Sequence, residues 1–280
     1  MDLNYSTLEI TTKIGCPVAC SYCPQDKTVK AYKDKNTRVM SLETFNTCID
    51  KIPITINPDG TTNPRIEFAG FSEPFVSPDA ADMMVSAYDK GFTDMTLFTT
   101  FKGMTMEDFE KIKHIPFSIF SIHLPDKEGI VKVKIDEHYL ILLKLCLDTF
   151  VEVSFYISGE VKDEVMGVIK SYDYENMYWH DEVHSRAGNV DGVEPVPRLE
   201  GQIHCSASNG MALNHGVLLP NGDVALCCMD FGLKHIKGNL LTGEYIDLFK
   251  SSEHNKVVAG MYVDDGELMC RICNYARPNK

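Results

Sequence analysis

Three thiols sit on one short stretch near the start of the chain, Cys16-Pro17-Val18-Ala19-Cys20-Ser21-Tyr22-Cys23-Pro24. Thiolates hold iron–sulfur clusters, and three of them at C-x-x-x-C-x-x-C spacing can ligate three irons of a four-iron cluster. The fourth iron then stays open to something other than protein. Zinc is the competing occupant, but it normally takes cysteines in close pairs and closes its shell with four ligands. Here no fourth Cys or His lies nearby. A second set, Cys205, Cys227, Cys270 and Cys273, comes from separated segments and supplies four donors, enough to close a shell. Cys227 and Cys228 are adjacent, and adjacent side chains on a strand point to opposite faces, so one of the two reaches the metal. By spacing alone this site suits zinc as well as an iron–sulfur cluster.

The elements that must carry these groups alternate. Strand-type runs at Thr7 to Thr12, Arg65 to Phe71, Asp94 to Thr99, Phe117 to Leu124, Val151 to Ile157 and Asn176 to Val183 are separated by helix-type segments. Those helices have readable starts: Ser41, Ser77 with Pro78 at the first helical position, and Thr105 with Asp108 three residues on. Gly91 reads as a helix stop. Strand and helix repeated six times imply parallel pairing, and six units fall short of a closed eight-fold barrel. The expectation is an α/β chain: a partial, TIM-like (β/α)6 barrel over 1–189, then a small α+β domain over 190–280. In such folds the chemistry gathers at the carboxyl ends of the strands, where the first cysteine loop falls. The second half is turn-rich, with Asp191-Gly192, Asn209-Gly210 and a hairpin turning at Asn221-Gly222. The run TGEYIDLFKSSEHNKVV reads as one helix opening at Thr242.

With Tyr22 just before the last cysteine, the opening motif resembles the signature of the radical S-adenosylmethionine (SAM) enzymes. Gly70-Phe71-Ser72-Glu73-Pro74 resembles that family's Gly-Gly-Glu-Pro element, with Ser72 where the second glycine usually stands. The resemblance implies that Gly70, Ser72 and Glu73 engage the SAM amino group, and a carboxylate is suited to accept charge-assisted hydrogen bonds from an ammonium. It also implies SAM contacts at the strand ends carrying Thr99 with Thr100, and Ser121, His123 and Asp126, with Tyr22 packed near the adenine. N-G-D-V-A-L-C resembles the G-x-V-x-x-C element of the shortened SPASM domain called twitch, which places Cys227 as ligand and leaves Cys228 as a buried thiol or a group beside the ligands. Two 4Fe-4S clusters follow from the resemblance, one binding SAM and one auxiliary, together with an electron donor such as flavodoxin or ferredoxin. The architecture is most similar to the twitch-containing dehydrogenase branch that oxidises an aminocyclitol alcohol. There Ser185-Arg186-Ala187-Gly188-Asn189 resembles a substrate-contacting Arg-Gly element, making Arg186 the catalytic candidate, with a salt bridge at the domain junction as the alternative.

The implied reaction is reductive SAM cleavage to a 5'-deoxyadenosyl radical, which abstracts hydrogen from a small polar substrate such as a sugar or cyclitol alcohol. Peptide modification is the second enzyme reading, and a non-catalytic iron–sulfur electron carrier is a reading of another class. A net charge of −13 argues against broad attraction to nucleic acid or an anionic membrane. The cluster Lys27, Lys30, Lys33, Lys35 and Arg38 reads as a solvated loop. The first residues lack a secretory pattern, and no apolar run approaches a membrane span. Ten cysteines without an export signal point to metal chemistry in a reducing compartment, the cytoplasm. Cys48 and Cys146 fall in apolar helical patterns and read as small buried hydrophobes.

Overall fold

The computed structural model describes residues 3–279 apart from 173–176, 182–183, 209 and 265. Six parallel strands form the first part of the chain: β1 (Thr7–Ile10), β4 (Arg65–Phe68), β5 (Met95–Thr99), β6 (Ile119–His123), β7 (Val153–Tyr156) and β8 (Tyr178–His180). The hairpin β2 (Thr55–Ile56) with β3 (Thr62–Asn63) stands apart from them. Each runs inside a stretch that the sequence marks as a strand. Of the last such stretch, positions 176, 182 and 183 lie outside the described residues.

Helices cross between the strands: α1 (Gln25–Ala31) and α2 (Leu42–Ile49), α3 (Ala80–Asp89), α4 (Met106–Ile112), α5 (Glu137–Thr149) and α6 (Asp163–Ile169). Ser41 caps α2 by accepting from Thr44 N–H, and Thr105 with Asp108 forms a capping box on α4. Gly91 turns at φ +101° after α3. The start of α3 differs from the sequence expectation. A 3-10 turn over Pro74–Val76 takes up Ser77, whose N–H closes on Pro74 O at 3.1 Å, so the helix begins at Ala80 with Asp79 before it.

Strand pleating divides these elements into two environments. Leu8, Ile10, Ile66, Phe68, Leu97, Phe120, Ile122 and Phe155 face the helices and build the main apolar core, where Phe120 stacks on Phe150 at 4.3 Å. Each large side chain buried there contributes about 1.5–3 kcal/mol. Cys48 and Cys146 belong to this core, fully buried on α2 and α5. The alternate residues face the barrel interior and are polar or aromatic: Glu9, Glu67, Thr96, Ser121, Ser154, His123, Tyr156 and His180. That interior is where the chemistry is placed.

Beyond residue 190 come β9 (Ile203–Cys205), β10 (His215–Leu218), β11 (Asp223–Ala225), β12 (Ile236–Asn239), α7 (Ser252–Tyr262) and β13 (Ala276–Pro278). The hairpin at Asn221-Gly222 joins β10 to β11, as its turn residues require. β10 pairs in parallel with β1, Thr7 opposite His215 through Ile10 opposite Leu218, so one nine-stranded sheet runs β12-β11-β10-β1-β4-β5-β6-β7-β8. The turn expected at 209–210 includes position 209, outside the described residues. The single helix expected from Thr242 is two pieces: a 3-10 turn over Tyr245–Phe249 and then α7. The Ser251 hydroxyl restarts the helix by accepting from His254 N–H at 3.1 Å. Among the described residues no helix is long and apolar enough to cross a membrane.

Candidate functional site

Cys16, Cys20 and Cys23 lie on the loop that leaves β1. Gln25 clamps that loop: its Nε2 donates to Cys16 O at 2.7 Å, and its Oε1 accepts from Cys16 N–H. Ala19 takes φ +49°, the left-handed turn that brings Cys20 round, and Ser21 N–H donates to Ile130 O at 3.1 Å. All three thiols line one cavity of about 530 Å³ at the carboxyl ends of the strands. Burial pushes their pKa values up, and the neighbouring thiols push Cys20 further, to about 12. Three crowded thiols that resist ionisation suit a metal centre, whose charge deprotonates coordinating sulfur.

Around that cavity stand most of the residues expected to bind SAM. Gly70 follows β4 at φ +61°, and a Cβ there would collide with Thr11 Oγ1, so the position needs glycine. Ser72 lines the cavity, its hydroxyl buried and without a partner among the described residues. Glu73 is 6% exposed and accepts three hydrogen bonds: Thr99 Oγ1 at 2.7 Å, Thr100 N–H at 2.6 Å and Thr100 Oγ1 at 2.8 Å. Burial still leaves its carboxyl raised to about 6. Tyr22 donates its hydroxyl to, or accepts at, His123 Nδ1 across 2.9 Å. His123 stacks on Tyr156 at 4.6 Å, and Tyr156 on His180 at 5.9 Å, following the register His123, Tyr156, His180 across β6, β7 and β8.

Two expected contacts are not brought to the wall. Ser121 is completely buried within β6, beside Ser154, with no partner for its hydroxyl among the described residues. Asp126 is spent on backbone, accepting from Ile130 N–H at 2.8 Å and Val131 N–H at 2.7 Å. Ser121 lies deeper than His123 on the same interior face of β6, and a loop closure turns Asp126 onto backbone.

Arg186 does reach the cavity. It and Ala187 hold φ of +53° and +52°, costing about 1–3 kcal/mol each. The turn is held by Asn189 Nδ2, which donates to Arg186 O at 2.7 Å and to Met229 O at 3.0 Å. Burial lowers the Arg186 pKa, but Cys228, Tyr156, Cys23 and Tyr275 outweigh it and keep the guanidinium firmly charged.

Sequence reasoning passed over the cavity floor. Glu9 of β1 and Glu67 of β4 are register partners, and both line the cavity. Glu9 Oε1 meets His215 Nε2 at 2.5 Å, while Glu9 Oε2 accepts from Gly70 N–H at 3.1 Å. Burial would raise Glu9, but the His215 charge and the hydrogen bonds from His215 and Cys228 bring it below its ordinary value; His215 is raised in turn. The signal was present: a glutamate at the third position of the strands TLEI and RIEF, flanked by apolar residues on both sides.

The second cysteine set lines a separate pocket of about 40 Å³, with Cys205, Cys227, Cys270 and Cys273 among Leu213, Leu226, Met229, Met261 and Met269. Cys227 interacts with Cys270, Cys273 and Cys205, whereas Cys228 faces Glu9 and Arg186. Adjacent thiols therefore serve different neighbourhoods, although both lie just past β11 rather than on a strand. Arg271, inside the closing C-x-x-C, is fully buried and donates to the carbonyls of Leu199, Gly201, Gly260 and Val263, fixing the loop that presents Cys270 and Cys273. Cys228 and Tyr275 line both cavities and form the wall between them.

Among the described residues the one triple of candidate ligand atoms within 4.8 Å of one another is Glu9, His215 and Cys228.

No family model matches the chain, and no curated protein does. Solved structures do. The crystal structure of BtrN in complex with AdoMet and 2-DOIA is 16% identical, covering 99% of this chain and 95% of that one, with a TM-score of 0.60. Native anSMEcpe with bound AdoMet is 12% identical over 96% of this chain and 86% of that one, TM-score 0.58. Streptococcus suis SuiB bound to precursor peptide SuiA is 11% identical over 97% and 70%, TM-score 0.52. At these identities the likeness establishes the fold: this chain shares theirs along nearly its whole length.

Proposed function

We propose that this chain is a radical SAM oxidoreductase. One observation carries the reading. Three thiols share a cavity with Gly70, the carboxylate of Glu73 and a Ser72 hydroxyl that has no partner among the described residues. In this reading Cys16, Cys20 and Cys23 hold a 4Fe-4S cluster, which supplies the electron for reductive cleavage of SAM. Glu73, braced by Thr99 and Thr100, receives the SAM ammonium. Ser72 supplies a further polar contact, and the ring of His123, held by the Tyr22 hydroxyl, forms a wall for the adenosyl group. Cys205, Cys227, Cys270 and Cys273 hold the auxiliary cluster, and a small flavodoxin or ferredoxin supplies electrons from outside.

The substrate is a small polar molecule, and oxidation of a sugar or cyclitol alcohol is the reaction the site supports best. The support is the lining: Glu9, Glu67, Tyr156, His180 and Arg186 offer hydrogen bonds on several sides of one cavity. Arg186, permanently cationic, orients the substrate oxygen. Anaerobic incubation of the reduced, cluster-loaded chain with SAM tests the proposal. Formation of 5'-deoxyadenosine is expected, and its persistent absence leaves an electron carrier. Trials with 2-deoxy-scyllo-inosamine and with short peptides then separate alcohol oxidation from peptide modification.

A further inference from the structure

Oxidising a secondary alcohol removes one hydrogen atom from carbon, one proton from oxygen and one electron. On the reading above, which this inference rests on, SAM bound beside Glu73 would supply the hydrogen-atom acceptor, and a cluster held by Cys205, Cys227, Cys270 and Cys273 would supply the electron acceptor. The proton needs an acceptor among the chain's own side chains. Arg186 cannot serve, because it is already protonated and its surroundings hold it so. Burial and the charges of Arg186 and His180 pull His123 down to about 3, and burial also lowers His180. The Tyr22 hydroxyl is engaged with His123 Nδ1 at 2.9 Å, and Cys228 is hydrogen-bonded to Glu9. Glu73 is occupied by Thr99 and Thr100, and Glu9 by His215 and Gly70.

Glu67 is different. It is half-buried, it faces the cavity, and Thr96 Oγ1 donates to its Oε2 at 3.0 Å. We propose that Glu67 is the catalytic base of the oxidation, taking the substrate's hydroxyl proton on Oε1 while Thr96 holds Oε2. The substrate O–H bond breaks, an O–H bond forms on the carboxylate, and the carbon–oxygen double bond closes as the electron leaves.

The groups facing Glu67 suit this task. Glu9 approaches from β1, His215 from β10, Thr96 from β5, and Arg65 lies on its own strand. Burial first and the Glu9 charge second raise the Glu67 carboxyl to about 7, against the opposing pull of His215, Thr96 and Arg65. A base poised there is half ionised at neutral pH and still strong enough to hold the proton.

The test uses the full cluster-loaded chain, SAM, dithionite and 2-deoxy-scyllo-inosamine as the alcohol probe. In the wild type, ketone formed per 5'-deoxyadenosine should rise as pH passes upward through about 7, where Glu67 loses its proton. Glu67→Gln should lower that ratio about 100-fold or more and flatten the profile, and Glu67→Asp should restore part of it. An unchanged ratio in Glu67→Gln overturns the base assignment while leaving the radical reading intact. A wild type that makes no 5'-deoxyadenosine overturns the radical reading itself, and the assignment with it. A second measurement needs no turnover: with 13C-labelled glutamate carboxyls, one resonance should titrate near pH 7 and vanish in Glu67→Gln. If the wild type cleaves SAM but leaves the probe untouched, this titration decides. Its absence overturns the assignment, and its presence supports it.

Discussion

The two cysteine sets use the same atom in opposite surroundings. Cys16, Cys20 and Cys23 open onto a large cavity walled by carboxylates, rings and a guanidinium, whereas Cys205, Cys227, Cys270 and Cys273 are packed among Leu and Met side chains in a far smaller pocket. Three donors beside a polar void leave room for a reacting molecule. Four donors in an apolar nest leave none, and suit a centre that passes electrons without touching substrate. Environment, more than ligand type, assigns the roles.

The contrast is most sharply tested by removing a thiol from each set. Cys20→Ala should abolish 5'-deoxyadenosine formation. Cys273→Ala should lose ketone while 5'-deoxyadenosine persists, and iron should fall from about eight to about four per chain in either variant. If Cys273→Ala abolished SAM cleavage as completely as Cys20→Ala does, the division of labour would collapse. Removal of Cys227 or Cys228 refines the same point: Cys227→Ser should lose half the iron, and Cys228→Ser should keep all of it.

Next in size is the Arg271 clamp. Arg271→Met leaves four backbone carbonyls without their donor, and should cost on the order of 3 kcal/mol in unfolding and weaken iron retention at the second site alone. On the open side, Glu73→Gln removes a charge from the SAM ammonium partner. SAM binding measured by calorimetry should weaken by about 1.5–3 kcal/mol, roughly 10- to 100-fold. Smallest is Cys146→Ala, which shrinks a core residue with no metal role; iron should stay complete and stability fall by about 1 kcal/mol.

The barrel was legible because its evidence is local and periodic: six strands and the caps at Ser41 and Thr105 each rest on a few neighbouring residues. The cysteine sets were legible from spacing. The cavity floor was not, since Glu9, Glu67 and His215 meet only through strand register, and His215 arrives from 206 residues away along the chain. Ser121 and Asp126 show the reverse error. Sequence position placed them at a strand end, but Ser121 lies deeper on the interior face of its strand and Asp126 is taken by backbone partners. Helix starts at Ser77 and Thr242 were displaced by 3-10 turns, which share their composition with α-helices.

The strand that leads into the first cysteine loop is flanked by β4 on one edge and β10 on the other. During synthesis β1 therefore stays one neighbour short until residue 218 has been made. Such distant pairing is slow to form and leaves an adhesive edge in the meantime. Expression of residues 1–189 by themselves should therefore yield aggregate rather than a loadable barrel.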